Sequence, residues 1–112
     1  MIVTSSLPFT QKQITQAKER FGIYVKTVID IRRKICCAGM DRHFEGEKIL
    51  LQSGSHQSDL WGGGIDLETN EIDFNSFINI RPQDNNLKNE IQSEVIKKLY
   101  SELTTFFFKL VL

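Results

Sequence analysis

Asp59-Leu-Trp-Gly-Gly-Gly-Ile-Asp-Leu-Glu-Thr-Asn-Glu-Ile-Asp-Phe-Asn-Ser-Phe-Ile-Asn-Ile-Arg81 is the stretch whose reading decides the fold. Asp59 to Leu67 reads as one strand and Glu71 to Arg81 as the next, with Glu68-Thr69-Asn70 as a tight turn between them. In the second strand Ile72, Phe74, Ile78 and Ile80 fall on one face, and Asp73, Asn75, Phe77, Asn79 and Arg81 on the other. Alternation with period two belongs to an antiparallel sheet with one buried face, so the four apolar residues are expected under helices. The only tryptophan, Trp61, stands beside Gly62, Gly63 and Gly64, which let something approach the backbone closely.

Working outward, Tyr24 to Ile31 is rich in β-branched residues and reads as a strand; Arg32-Arg33 turn the chain and Lys34 to about Met40 returns. Thr10 with Gln13 forms a capping-box pattern, Phe9 with Ile14 fits a hydrophobic staple, and Gly22 ends this first helix. A short helix from about Glu45 to Ser53 stops at Gly54. After a polar loop from Pro82, Asn89 with Gln92 caps a last helix whose stripe is Ile91, Val95, Leu99, Leu103, Phe106, Phe107 and Leu110. The order α-β-β-α-β-β-α predicts a single α+β domain over residues 1–112: a four-stranded, mainly antiparallel sheet with helices on one face.

Lys plus Arg and Asp plus Glu number 14 each, so net charge argues for neither nucleic acid nor a membrane surface. Arg32-Arg33-Lys34 has no interleaved aromatics and is too short to mark a nucleic-acid interface. Cys36 and Cys37 are adjacent and point to opposite faces of a strand, so they read as reduced thiols; with no basic, apolar leader at Met1–Leu7, a cytoplasmic protein is expected. The run Phe106–Leu112 is too short and interrupted to span a bilayer.

No catalytic signature matches. His43 and Glu47 share a helix face only if that helix starts early, and no third metal ligand has a fixed spacing, so no metal is expected. His56 has no nucleophile at a defined spacing, and Gly62–Gly64 precede a strand rather than a helix, so no dinucleotide or other cofactor is expected. The candidate ligand site is Lys26, Asp30, Gln57, Asp59, Trp61, Asn79 and Arg81, polar groups on alternating strand positions beside one aromatic wall. Arg81 is expected to pair with Asp30, Asp59 or a bound anion. Phe108, Val111 and Leu112 lie off the last helix's stripe and are candidate interface residues.

At Val25–Ile31, His43–Leu51, Gly54-Ser-His-Gln-Ser-Asp-Leu-Trp-Gly62 and Phe77-Ile-Asn-Ile-Arg-Pro82, the chain resembles a family of small uncharacterised prokaryotic proteins found in cyanobacteria, archaea and other bacteria, with mobile-gene-cassette members among the origins it implies. The resemblance covers most of residues 10–100; Gly62–Gly64 is less bulky than the family's segment after the tryptophan, and the chain beyond Leu103 is less polar. It implies a shared fold unit and a shared site but no reaction. Two functions follow from the residues: a self-associating structural or interaction module, as a homodimer or higher homo-oligomer, or a small-anion or small-molecule binder or enzyme with its pocket near Trp61 and Arg81.

Overall fold

A computed structural model describes residues 1–112 and shows an α+β fold: one antiparallel sheet of five strands and three α-helices. Strands β1 (Val3–Ser5), β2 (Tyr24–Asp30), β3 (Ile35–Ala38), β4 (Leu60–Asp66) and β5 (Ile72–Asp73) lie in the order β1-β3-β2-β4-β5. Helices α1 (Gln11–Ala17), α2 (His43–Gln52) and α3 (Glu94–Phe107) fall between β1 and β2, between β3 and β4, and after β5. The expected four strands and the expected order are therefore corrected. A strand precedes α1, because Val3, Thr4 and Ser5 pair with Ala38, Cys37 and Cys36.

The helices are not on one face either. On one side of the sheet Val25, Ile29, Cys36, Ala38, Trp61 and Ile65 pack with Ile14 and Ala17 of α1 and with Tyr100, Leu103 and Phe107 of α3. On the other, Val28, Cys37 and Leu60 pack with Met40 and with Leu50 of α2. Both faces of β2 thus meet helices, α1 and α3 on the face of Val25 and Ile29 and α2 at Val28 on the other. Gly46 is where α2 comes closest: a Cβ there would meet Met40 Cε at 2.5 Å and Val28 Cγ2 at 3.0 Å. α1 begins as its sequence dictates, with Thr10 Oγ1 accepting from Gln13 N and Gln13 Oε1 accepting from Thr10 N.

The expected long strand over 71–81 is the largest correction. Only Ile72 and Asp73 pair with β4; Phe77–Asn79 and Pro82–Asp84 are 3-10 turns. Side chains replace the missing ladder. Asn79 Oδ1 accepts from Gly62 N–H at 2.8 Å and Asn79 Nδ2 donates to Gly62 O at 2.9 Å, so the side-chain amide pairs with the strand edge as a peptide would. One step along the same edge, Arg81 Nη1 donates to Leu60 O at 2.7 Å. Ser76 starts the 3-10 turn by accepting from Ile78 N–H. A second buried amide, Asn86, donates to the carbonyls of Asn79, Lys88 and Glu90 and accepts from Gln92 N–H, which fixes the loop before α3. Burial follows from this: Asn79 and Arg81 are buried and Ile80 is exposed, against the expected layer, whereas Ile72, Phe74 and Ile78 are half-buried against the core and Asn75 and Phe77 are exposed.

α3 is also turned from its expected setting. It buries Tyr100, Leu103, Thr104 and Phe107, while Val95 is 78% exposed and Phe106 and Leu110 face out. Tyr100 reaches through to β2, where its hydroxyl meets Thr27 Oγ1 and donates to Thr27 O at 3.2 Å. No helix is long and apolar enough to cross a membrane.

Candidate functional site

β4 carries no side chains at Gly62, Gly63 and Gly64, and neighbouring residues close over it. A Cβ at Gly62 would meet Ser76 Cβ at 2.7 Å and His43 Cδ2 at 3.1 Å, and one at Gly64 would run into the Tyr24 ring. The glycines thus let the start of α2 and the 73–78 segment converge on the strand. Between them lies a groove of about 380 Å³ lined by Lys26, Arg42, His43, Phe44, Ser76, Phe77 and Ile78. A neighbouring trough of about 300 Å³ shares four of these and adds Tyr24, Asp73, Asn75 and Asn89.

The groove is cationic. Lys26 Nζ donates to the Asp41 carbonyl at 2.8 Å and lies 4.9 Å from the Phe21 ring centre. Neither Lys26 nor Arg42 has a carboxylate partner. The carboxylates around it are engaged elsewhere: Asp73 accepts from the Tyr24 hydroxyl at 2.5 Å and from Asn75 N–H at 3.1 Å, Glu45 accepts from the Arg42 backbone N–H at 2.8 Å, and Asp41 pairs with Arg20 at 3.0 Å. Burial, then the Asp73 hydrogen bond and charge, raises the Tyr24 phenol well above its ordinary value, so it stays a donor.

His43 sits at the first position of α2, with its Nε2 2.7 Å from Gly63 O. A carbonyl only accepts, so Nε2 carries the proton and Nδ1 is left an acceptor. Burial lowers the imidazole below its ordinary range; the Gly63 bond and Asp73 oppose this and Lys26 adds to it. The ring is accordingly neutral at pH 7. At the start of α2 beside it, Glu45 N–H donates to the Arg42 carbonyl at 3.0 Å and the Glu45 carboxylate accepts from Arg42 N–H at 2.8 Å, so the helix end carries its own capping carboxylate. Ser76 is buried and its Oγ accepts from Ile78 N–H, and no hydrogen bond joins it to either nitrogen of His43, so the two do not form a nucleophile–base pair.

The rim is apolar. Phe77 is 81% exposed and Phe44 54% exposed, on opposite walls of the groove. Phenylalanines left this open on a small domain mark a contact surface.

The seven residues singled out from sequence do not come together. Lys26 lines the groove. Asp30, at the far end of β2, is fully buried: Oδ1 accepts from Arg32 and Arg33 N–H and Oδ2 from the Ser55 hydroxyl, which closes the β2–β3 hairpin. Asp59 pairs with Arg32 at 2.9 Å, and exposed Gln57 reaches Glu47 at 3.4 Å. Trp61, Asn79 and Arg81 are interior. The Arg81 guanidinium stacks 4.2 Å from the Trp61 ring centre and pairs with a carboxylate, but with Asp84 at 2.8 Å rather than Asp30 or Asp59. Its local partner is three residues away and was hidden in what read as a loop. Phe108 is buried too, edge-on to Phe9 with ring centres 5.2 Å apart, while Val111 and Leu112 stay exposed.

Sequence reasoning missed Arg42, Phe44, Ser76 and Phe77 as site residues and treated His43 as surface. The available signal was Phe77, an aromatic on the otherwise polar set of the 71–81 alternation.

No curated protein and no solved structure matches the chain. A family model matches residues 2–107, and with that extent the chain belongs to the family described as protein of unknown function (DUF5674).

Proposed function

We propose that this protein binds a small organic anion with an aromatic or apolar body in the groove between α2 and the 73–78 segment. The observation that carries the reading is the pairing, in one groove, of two cations without carboxylate partners, Lys26 and Arg42, with two open phenylalanine faces, Phe44 and Phe77. A carboxylate or phosphate there gains charge-assisted hydrogen bonds. Its apolar part covers ring surface at roughly 25 cal/mol per Å². Neutral His43, with its Nε2–H held by the Gly63 carbonyl, offers Nδ1 as an acceptor for orientation.

Phenyl phosphate is a suitable probe, with amide chemical shifts as the readout. Saturable shifts are expected at residues 42–44, 62–64 and 75–78. Lys26→Gln with Arg42→Gln should weaken binding by about tenfold or more, equivalent to at least ~1.4 kcal/mol. The absence of saturable shifts at about 10 mM probe, where binding energy falls below roughly 3 kcal/mol, would overturn the proposal.

A second reading, self-association as a homodimer or higher homo-oligomer, is favoured by a different surface: the outer side of α3, where Val95, Phe106 and Leu110 are exposed and continue into Val111 and Leu112. Light scattering at micromolar concentration tests it; a monomer rejects it.

A further inference from the structure

We infer that a second copy of this chain covers the outer face of α3 across a two-fold axis, with Lys34 of each protomer meeting Glu102 of the other. The inference rests on the self-association reading and specifies its surface. α3 carries two apolar stripes. The inner one, Ile96, Tyr100, Leu103 and Phe107, packs on the sheet. The outer one, Val95, Leu99, Phe106 and Leu110, starts one residue earlier and so lies about 100° round the helix. Val95, Phe106 and Leu110 of it are exposed, while Leu99 is half-buried against the core.

Beside the outer stripe runs a groove of about 360 Å³ lined by Ser6, Lys34, Leu99, Glu102, Leu103 and Phe106. Its two charged residues come from different elements, the β2–β3 hairpin and α3, and neither has an ion-pair partner in the chain. An apolar centre with charges at its edge is the anatomy of an interface. The patch is also self-complementary, because it holds one charge of each sign, and self-complementarity is what an isologous two-fold contact requires. Glu102 lies midway between Leu99 and Phe106 in sequence, so an axis through that point brings the two Glu102 side chains near each other. That arrangement holds only if each carboxylate faces the partner's Lys34, since like charges in contact oppose association. A different protein would need no such internal match.

The test is sedimentation of the full chain near 50 µM, a concentration at which a dimer with Kd of about 1 µM is nearly complete. The wild type should sediment as a dimer. Lys34→Glu should weaken it by about tenfold or more through like-charge contact, and Lys34→Glu with Glu102→Lys should restore it. Phe106→Lys, at an exposed position, should give a folded monomer. A monomeric wild type rejects self-association altogether. A dimer that survives Lys34→Glu or Phe106→Lys leaves self-association standing through another surface and overturns this inference, as does failure of the charge swap to restore it.

Discussion

Replacing Asn79 with alanine should cost this domain a large part of its stability, although the residue lies in no regular helix or strand. The side chain makes four hydrogen bonds: from Gly62 N–H, and to the carbonyls of Gly62, Phe74 and Asn89. The two Nδ2 hydrogens are shared among three carbonyls, so with the accepted bond about three full hydrogen bonds are lost, worth about 3 kcal/mol at a net ~1 kcal/mol each. Gly62 is buried, so its freed N–H and C=O also bear a desolvation cost of roughly 1–3 kcal/mol each where water does not reach them. Water entering from the exposed Asn75 and Asn89 side offsets part of this. The balance is a destabilisation of about 3–5 kcal/mol, out of the 5–15 kcal/mol typical of a domain. Urea unfolding read by Trp61 fluorescence measures it, with the slope expected to stay constant while the midpoint falls. Asn79→Asp is the sharper variant. It keeps the acceptor for Gly62 N–H but turns a carboxylate oxygen toward three carbonyls, so it should destabilise at least as much at neutral pH and recover in acid, where protonation restores one donor. A loss below about 1 kcal/mol for Asn79→Ala would refute the claim that this amide stands in for a strand, because that is the value of one ordinary hydrogen bond.

Gly63→Ala should be poorly tolerated, by about 3 kcal/mol or more from overpacking, because its methyl group would strike the Asp73 backbone carbonyl and lie 3.0 Å from the Tyr100 hydroxyl; chemical denaturation measures it, and a neutral effect would contradict the packing described. Cys36 and Cys37 are both buried and burial raises both thiols above their ordinary range, so thiol titration of the native protein should be slow at neutral pH and become fast on adding denaturant.

The elements that sequence could locate are those whose signals are local. The capping box at Thr10 and Gln13, the Gly54 stop after α2 and the Asn70 turn all lie where the residues place them. β1 was not legible, because three residues beside Ala38–Cys36 gain strand character only from long-range pairing. The 71–81 segment misled for a physical reason: its alternation is genuine, but Ser76, Asn79 and Arg81 satisfy backbone groups with side chains, and that breaks the ladder the alternation implies. The stripe expected for the last helix mixed two overlapping apolar stripes: Ile91, Leu103 and Phe107 are buried while Val95, Phe106 and Leu110 face out, and only the sheet decides which residues are inward. For the site, sequence identified Lys26 and the glycines. It placed Asn79, Asp30 and Arg81 in a ligand site because it cannot see that their partners are backbone groups and near neighbours.

The titration of the His43 imidazole by NMR, with and without phenyl phosphate, tests the central claim of a cationic anion-binding groove most directly. In the free protein His43 should titrate below the ordinary imidazole value, because burial disfavours its charged form. It therefore costs stability as pH falls through about 6.5, where the unfolded chain takes up the proton first. A bound anion reverses the bias: it stabilises the imidazolium, so the His43 titration should move upward on saturation and the probe should bind more tightly as pH falls through it. A His43 titration that is the same with and without saturating probe would contradict the account.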